Sequence, residues 1–236
     1  MCAFESFSPG GVAVVIGASG GIGSALVSIL NDTDCFKTVL GFSRSSPLAI
    51  DLNDEASLER AAKAAAAEGE IRLVVDATGF LHRDGEGPEK TWRELDAQKL
   101  ATAFAINAIG PALLMKHFLP RLPRTGKTVF ATLSARVGSI GDNRLGGWYG
   151  YRASKAALNQ IVRTASVELA RRAPEAVCVA LHPGTVDTQL SVPFTKQGLD
   201  LHSPAAAAAN LLTVLDRLKK EDTGGFFDWR GASVPW

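Results

Sequence analysis

The stretch VAVVIGASGGIG, residues 12–23, decides the fold of this chain. Its first part, Val12–Ile16, is a short apolar run rich in β-branched residues with glycines on both sides, which is typical of a buried strand. Apolar residues at helical spacing follow over Ile22–Leu30. The glycines between the two segments are spaced G-x-x-x-G-x-G, and such a turn can approach a phosphate with the free N–H groups of a helix N-terminus. The stretch therefore predicts a phosphate-binding strand–turn–helix unit, with a tight turn of purely structural role as the alternative.

The rest of the chain alternates short apolar runs with longer amphipathic segments. Further strands are predicted at Thr38–Phe42, Leu48–Leu52, Ile71–Ala77, Val129–Leu133, Val177–Leu181 and Phe226–Trp229. Helices are predicted from Asp54 to about Glu68, from about Glu89 to Phe118 with a break near Gln98, over Trp148–Arg172, and from Ser203 onward. This βαβ series predicts one domain over residues 1–236, a doubly wound α/β Rossmann fold whose seven parallel strands follow the order 3-2-1-4-5-6-7. A (βα)₈ barrel is the competing architecture, for which the chain is short.

Charge and composition exclude several classes of function. The 25 Lys and Arg residues nearly balance the 24 Asp and Glu residues, for a net charge of +1, so no global basic field favours nucleic acid or an anionic membrane. The three cysteines and four histidines are scattered, which argues against a disulfide framework and against a metal site. The first apolar run is far shorter than the roughly 18 residues of a membrane span. We expect a cytoplasmic protein with no metal, nucleic-acid or membrane partner.

The end of the second predicted strand indicates which dinucleotide the fold prefers. An Asp or Glu about 20 residues beyond the glycine turn would bind the ribose 2′-hydroxyl of NAD. Here that place is taken by Ser43 and Arg44, and no carboxylate occurs between Thr38 and Ile50. A hydroxyl and a guanidinium can bind the 2′-phosphate of NADP, the guanidinium through two parallel hydrogen bonds. The sequence therefore predicts NADP(H) rather than NAD(H), with a solvated Arg44 as the alternative.

Tyr151 and Lys155 are the candidate acid–base pair. They are four residues apart near the start of a predicted helix, so both lie on one face of it. A phenol has a pKa of about 10, and a neighbouring ammonium group lowers that pKa by favouring the phenolate. Such a pair can donate a proton to a carbonyl oxygen whose carbon receives a hydride. The spacing alone is common, and a pair of surface residues is the alternative.

Together with the glycine turn, this pair resembles the short-chain dehydrogenase/reductase family in its compact single-domain form. The resemblance covers nearly the whole chain. The stretch NAIGP at residues 107–111 matches the family's helix asparagine, and PGTVDT at residues 183–188 matches its nicotinamide-binding loop. Trp148–Leu158 and Gly224–Trp236 look most like C-factor-type and carbonyl-reductase-type members. The sequence DATG at residues 76–79 departs from the family's Asn-Asn-Ala-Gly at its first three positions but keeps the final glycine.

The resemblance implies a role for each site residue. Tyr151 would donate the proton, Lys155 would lower the phenol pKa and bind the ribose hydroxyls, and Asn107 would hold a proton-relay water. The implied cofactor-binding residues are Gly17, Ser19, Gly21, Ile22, Gly23, Ser43, Arg44, Asp51, Leu52, Ala77, Thr78, Gly79, Asn107, Tyr151, Lys155, Pro183, Gly184, Val186 and Thr188. Asp51 and Leu52 match the part that contacts adenine, and a substrate loop is expected at about residues 187–203.

One departure concerns the catalytic serine. The family has Ser-Ser-x-x-Gly after the fifth strand, and its second serine bonds the substrate carbonyl. This chain reads SARVG at residues 134–138, so alignment on Gly138 places Ala135 at that position. Ser134 is the nearest hydroxyl and is the preferred candidate, although adjacent strand residues point to opposite faces of a sheet. Ser139 and the absence of any such serine remain open.

These features predict an NADP(H)-dependent reductase that converts a carbonyl to an alcohol, or the reverse, on a small-molecule substrate. The alternative is an NADP(H)-binding sensor or signalling protein with little turnover, which the C-factor resemblance and Ala135 favour. The resemblance also implies a homodimer or homotetramer, because Ala101–Met115 and Ala156–Leu169 are apolar on more than one face.

Two groups of residues near the expected cleft do not point to one function. The acidic residues Asp84, Glu86 and Glu89 are interpreted as a solvated loop, whereas Trp148 and Phe194 either line the substrate pocket or cover the sheet.

Overall fold

The computed structural model describes residues 4–82, 87–190 and 201–236. Its strands are β1 (Val12–Ile16), β2 (Thr38–Phe42), β3 (Ile71–Asp76), β4 (Thr128–Leu133), β5 (Ala176–His182), β6 (Thr185–Val186), β7 (Leu201–His202) and β8 (Phe226–Asp228). Its α-helices are α1 (Gly21–Asn31), α2 (Glu55–Glu68), α3 (Ala97–Phe104), α4 (Gly110–Phe118), α5 (Tyr149–Arg172) and α6 (Pro204–Arg217).

Six strands form the main sheet in the order β2-β1-β3-β4-β5-β8, and all neighbouring pairs are parallel. Because helices connect these strands, the doubly wound parallel α/β fold predicted from the sequence is confirmed. Six of the seven predicted strands are present in their predicted relative order. The short strands β6 and β7 pair with each other in a separate two-stranded sheet beyond the end of β5.

The predicted third strand, Leu48–Leu52, is wrong. The chain after β2 folds back on itself, with the Ile50 N–H donating to the Ser43 carbonyl at 3.0 Å and the Ser46 hydroxyl donating to the Leu48 carbonyl at 2.8 Å. Further along, the Asp51 N–H donates to Ser57 Oγ in the first turn of α2 at 2.9 Å. Local turns and the start of a helix therefore use the polar groups that an edge strand would offer to β2. Within the described residues the main sheet has six strands rather than seven.

Two apolar layers cover the two faces of the sheet. Alternate residues of β1 point to opposite faces, so Val14 packs with α2, α4 and α5, whereas Val15 packs with α1 and α6. The central strands are fully buried on both faces, which explains why they are continuous apolar runs in the sequence. This packing fixes the carboxyl ends of the strands as the rigid edge on which the candidate site is built.

The helix predicted from about Glu89 begins later, at Ala97, where the Asp96 carboxylate accepts a hydrogen bond from the Lys99 N–H at 2.8 Å. Before it, a one-turn 3₁₀ helix covers Trp92–Glu94. Between α3 and α4 the chain forms a wider π turn over Ala105–Ile109. Such turns often occur at functional sites, and this one contains Asn107.

The helical run Ala97–Arg121 is long and apolar enough to cross a membrane by length and composition alone. In the structure, however, 44% of its most apolar window is buried. Its two α-helices pack within the domain, α3 against α5 and α4 against α2. Packing within the domain therefore accounts for part of its apolar composition.

Candidate active site

The glycine turn lies where the carboxyl ends of β1, β2 and β3 meet. The N–H groups of Gly17 and Ala18 both donate to the carbonyl of Phe42 at the end of β2, at 2.8 and 3.0 Å. Gly17 has a φ of +83°, and a Cβ on Gly23 would lie 2.1 Å from the Gly17 carbonyl oxygen. Because no side chain fits at Gly23, the turn can close only with glycine there.

The donors at the start of α1 fit a pyrophosphate. The helix begins at Gly21, and its N-cap residue Gly20 offers no side chain to the first-turn N–H groups. These N–H groups, with the positive end of the helix dipole, are the usual protein partners of a phosphate. Ser19 is exposed in the turn, and Ile22 follows in the first turn of the helix. The predicted phosphate-binding residues are therefore brought together.

Ser43 and Arg44 follow β2 directly beside this turn. The Ser43 hydroxyl is buried and accepts a hydrogen bond from the Ser45 N–H at 3.2 Å. Arg44 is exposed, and no hydrogen bond or ion pair joins its guanidinium to another part of the described chain. A cation with hydroxyls around it, and with no carboxylate in the same loop, has the chemistry that a 2′-phosphate needs.

The two residues expected near adenine have structural partners of their own. The Asp51 carboxylate accepts hydrogen bonds from the backbone and side-chain nitrogens of Asn53, at 2.9 and 3.2 Å. Leu52 packs so closely on Gly110 that a Cβ there would lie 2.7 Å from the Leu52 Cβ. These contacts hold the start of α2 and the start of α4, and adenine binding by this pair stays a prediction.

The stretch of residues 183–188 begins at the carboxyl end of β5 and returns to the glycine turn. Gly184 has a φ of +82° and packs against Trp229, whereas Val186 is buried in β6. The Thr188 methyl group lies 3.0 Å from where a Cβ of Gly21 would be. The stretch that starts at Pro183 therefore reaches the predicted pyrophosphate site. Residues 191–200 of the expected substrate loop, which include Phe194, lie outside the described residues.

Asn107 joins three parts of the site. Its Nδ2 donates to the Phe80 carbonyl at 2.8 Å and to Ser154 Oγ at 3.1 Å, while its Oδ1 accepts from the Phe80 N–H at 2.7 Å. The Ser154 hydroxyl donates to the Tyr151 carbonyl at 3.0 Å. The π turn, the loop after β3 and the start of α5 are thus held together, and the relay water expected at Asn107 remains a prediction.

Tyr151 and Lys155 lie at this junction. Lys155 Nζ donates to the Leu133 carbonyl at 2.7 Å and lies 6.0 Å from the centre of the Tyr151 ring. A Cβ on Gly79 would lie 3.9 Å from Lys155 Nζ and 4.0 Å from Asn107 Oδ1. The Trp148 ring contacts that of Tyr151 edge to face, with 6.1 Å between centres.

The acid–base properties of the pair differ from the expectation. Burial raises the pKa of Tyr151 to about 12, so the neighbouring ammonium does not make the phenol more acidic here. Burial also lowers the pKa of Lys155 to about 8, and the charge of Asp76 opposes this change. At neutral pH Tyr151 is therefore a phenol that carries its proton, and Lys155 is still mostly an ammonium.

Asp76 is a buried carboxylate beneath the site, at the first position of the DATG stretch. It accepts hydrogen bonds from the Thr78 N–H at 3.0 Å, the Thr78 hydroxyl at 2.6 Å and the Thr132 hydroxyl at 2.7 Å. Burial raises the pKa of Asp76, and these hydrogen bonds act in the opposite direction. The carboxylate fixes the turn through Ala77 and Thr78, and the Ala77 N–H continues the ladder by donating to the Ile16 carbonyl at 2.9 Å.

Neither serine candidate has a partner in the catalytic group. The Ser134 hydroxyl is buried and donates to Asn159 Oδ1 at 2.7 Å. Ser139 is also buried, and its Oγ accepts from the Asp142 N–H at 3.2 Å. Ala135, at the family position of the active serine, supplies no hydroxyl. The structure thus gives no support to the preference for Ser134, because its hydroxyl is directed to α5.

Sequence reasoning missed Glu89 and Ser154. Glu89 is 7% exposed, so its interpretation as part of a solvated loop is wrong, whereas Asp84 and Glu86 lie outside the described residues. Glu89 Oε2 accepts from the Gly150 N–H at 3.1 Å, and Glu89 lines a cavity of about 410 Å³ together with Tyr151. The position of Ser154 between Tyr151 and Lys155 could have indicated its role. No local pattern marks Glu89, because its burial depends on a helix that is distant in sequence.

Comparison with known proteins places the chain in a family. A family model described as enoyl-(acyl carrier protein) reductase matches residues 24–216. The C-signal protein of Myxococcus xanthus is 40% identical over 144 residues, which cover 61% of this chain and 82% of that protein. The 1-hydroxy-2-glutathionyl-2-methyl-3-butene dehydrogenase of Rhodococcus sp. (strain AD45) is 31% identical over 189 residues, which cover 79% of this chain and 78% of that enzyme.

Solved structures show the same fold. The NADPH-bound carbonyl reductase from chicken fatty liver matches with a TM-score of 0.85 at 24% identity, over 98% of this chain and 96% of that one. The carbonyl reductase Sniffer of D. melanogaster matches with a TM-score of 0.81 at 22% identity, over 96% of this chain and 99% of that one. With a family match over most of its length, the chain belongs to the short-chain dehydrogenase/reductase family and has a fold like that of the carbonyl reductases.

Proposed function

We propose that this protein is an NADP(H)-dependent oxidoreductase that reduces a carbonyl group to an alcohol or catalyses the reverse reaction. The observation that carries the proposal is the grouping of Tyr151, Lys155 and Asn107 around Gly79. These residues lie at the carboxyl edge of the same sheet as the glycine turn, and ligands bind at that edge in folds of this type.

NADP(H) is favoured over NAD(H) by the loop after β2. The first-turn N–H groups of α1 would hold the pyrophosphate, and Ser43 and Arg44 would hold the 2′-phosphate. The carbonyl reductase from chicken fatty liver, with its high structural similarity, is an NADPH-bound protein, which supports the same choice. When bound, the cofactor supplies the hydride.

The chain's own residues supply the proton and the geometry. Tyr151 keeps its proton at neutral pH because burial raises its pKa to about 12, and it gives that proton up when a carbonyl oxygen beside it gains negative charge. The Lys155 ammonium stabilises the phenolate left behind, and we propose that it also binds the ribose hydroxyls. Asn107 holds the start of α5 through Ser154 and so positions Tyr151; its proposed relay water would return the proton.

The direct test combines binding with turnover. Titration calorimetry with NADPH and NADH measures the cofactor preference, and NADPH consumption with a panel of aldehydes and ketones measures reduction. We expect NADPH to bind more tightly and at least one carbonyl compound to be reduced. NADPH binding without turnover of any carbonyl compound or alcohol would contradict the enzymatic proposal.

A second candidate function is an NADP(H)-binding sensor or signalling protein with little turnover. Two observations favour it: Ala135 offers no hydroxyl to a substrate carbonyl, and Ser134 is bonded to Asn159. The similarity to the C-signal protein points the same way. The intact Tyr151, Lys155 and Asn107 favour the enzyme, because cofactor binding alone does not need a proton donor.

We further propose a cytoplasmic homodimer or homotetramer acting on a small-molecule substrate. A groove of about 580 Å³ between α4 and α5 is lined by Met115, Ile161 and Ala165 among others, on the helices predicted to face a second copy. Apolar surfaces on two neighbouring helices are typical of an interface between identical subunits.

A further inference from the structure

The cavity of about 410 Å³ beside Tyr151 has mostly apolar walls, formed in part by Phe80, Leu81, Pro88 and Ala103. This volume is within the usual range for small-molecule sites, roughly 300–1,000 Å³. The charged residues Asp96 and Lys99 also line this cavity and are exposed, whereas Glu89 brings a carboxylate to the wall while only 7% of the residue is exposed. A carboxylate in such surroundings is costly unless it has hydrogen-bond partners.

Within the described residues, one oxygen of this carboxylate accepts a hydrogen bond and the other does not. Glu89 Oε2 accepts from the Gly150 N–H, and the Glu89 backbone carbonyl accepts from the Trp148 N–H. Trp148 precedes α5 with a φ of +54° and provides no side-chain cap, so the Glu89 carboxylate takes the place of the missing cap. No donor from the described residues reaches the second oxygen, Oε1, although the residue lines the cavity.

We propose that Glu89 is a substrate-binding residue whose Oε1 accepts a hydrogen bond from a hydroxyl group on the substrate. This inference rests on the carbonyl reductase function proposed above and names the substrate class: carbonyl compounds that carry a hydroxyl near the carbonyl and no negative charge. A hydroxyl satisfies the free oxygen, an alkyl group leaves it without a partner, and a substrate carboxylate beside it meets a like charge.

A cap without a role in substrate binding is the competing explanation, and Glu89→Gln separates the two. The Gly150 N–H needs an acceptor, so the glutamine oxygen takes the place of Oε2 and the NH₂ group faces the cavity. The cap is kept, while the acceptor in the cavity becomes a donor without charge. Glu94→Gln is the matched control, because Glu94 is exposed in the same segment and its carboxylate likewise accepts from a backbone N–H, that of Lys90, at 2.8 Å.

The experiment compares three aryl ketones with NADPH: 2-hydroxyacetophenone, propiophenone, in which an ethyl group replaces the hydroxymethyl group, and the anionic benzoylformate. We expect the wild-type kcat/KM for the hydroxyketone to exceed that for propiophenone by about tenfold or more, the usual effect of a hydrogen bond to a charged group. Glu89→Gln should remove most of this ratio and raise the relative rate with benzoylformate, whereas Glu94→Gln should keep the wild-type ratios.

The outcomes separate this inference from the function on which it rests. If the wild type reduces the two neutral ketones equally, or if Glu89→Gln keeps the wild-type ratio, the role of Glu89 in substrate binding is overturned and the reductase stands. If the wild type with NADPH reduces none of the three ketones, the inference fails too. The wider panel of aldehydes and ketones then shows whether the protein reduces carbonyl compounds at all. Should Glu89→Gln fail to fold, the wild-type ratio over the three ketones still decides.

Discussion

The Ser134 hydroxyl donates a hydrogen bond to Asn159 Oδ1 over 2.7 Å, and both side chains are buried. Asn159 lies one helical turn beyond Lys155 on α5, so the bond ties the end of β4 to the helix that carries the catalytic pair. Within the described residues, Asn159 Nδ2 has no partner, so the asparagine depends on Ser134 for its hydrogen bonding. The serine nearest to the family position is therefore engaged in packing.

Ser134→Ala should weaken folding and leave catalysis nearly unchanged. The substitution leaves Asn159 buried without its donor, a loss of about 1–3 kcal/mol in the free energy of unfolding. Urea denaturation and kcat for an accepted carbonyl compound measure the two effects. Ser139→Ala is the companion variant, since Ser139 is the other nearby hydroxyl. A fall in kcat of about 10²–10³ in Ser134→Ala with normal stability would instead identify Ser134 as the donor to the carbonyl.

Arg44→Asp should reverse the cofactor preference. If the guanidinium of Arg44 binds the 2′-phosphate, the wild type binds NADPH at least about tenfold more tightly than NADH, a difference of about 1.4 kcal/mol. An aspartate would repel the phosphate and accept hydrogen bonds from the NADH ribose hydroxyls. Titration calorimetry with both cofactors gives the ratio. Equal affinities in the wild type would contradict the NADP assignment.

Apolar patterning was enough to predict most of the sheet, because β1, β3, β4 and β5 are buried on both faces and read as continuous apolar runs. It failed at Leu48–Leu52, where Ile50 is buried in a turn that bonds back to Ser43 rather than in a strand. Local patterns contain no information on such contacts.

The same limit applies to the site. The glycine turn and the Tyr151–Lys155 pair depend on local spacing, so they could be proposed from the sequence. The burial of Glu89 depends on Gly150, and the direction of the Ser134 hydroxyl depends on Asn159; both partners are distant in sequence. Residues whose role is set by such long-range contacts could not be assigned from one sequence.

Lys155→Met should stabilise the fold at neutral pH while it removes activity. Burial lowers the pKa of Lys155 from 10.5 to about 8, so its contribution to stability is complete above pH 10.5 and is lost as the pH falls through about 8. The upper limit of this loss is about 3 kcal/mol, reduced by the hydrogen bond to Leu133 that the lysine makes. Urea denaturation at several pH values should show the free energy of unfolding of the variant rising relative to that of the wild type as the pH falls.

An exposed lysine of α2, Lys63, provides the control Lys63→Met, for which we expect no such pH dependence. A gain that does not change with pH would contradict the assigned pKa.

The groove between α4 and α5 should be an interface between two copies of the chain. Ala165 lies in this groove, so Ala165→Arg should place a charge in the interface and yield the 24.9 kDa monomer. Val167→Arg is the control, because Val167 is exposed on the same helix outside the groove. Sedimentation velocity at micromolar concentration distinguishes the species. A monomeric wild type would contradict the predicted assembly.

A single-turnover comparison of the wild type with Tyr151→Phe shows whether Tyr151 donates a proton during hydride transfer from NADPH. Phenylalanine keeps the ring in place and removes only the hydroxyl, and calorimetry sets the NADPH concentration at which both proteins are saturated. We predict that the wild type transfers deuterium from labelled NADPH to the alcohol product and that the variant does so about 10²–10⁴-fold more slowly. Transfer at the wild-type rate by Tyr151→Phe would contradict the account.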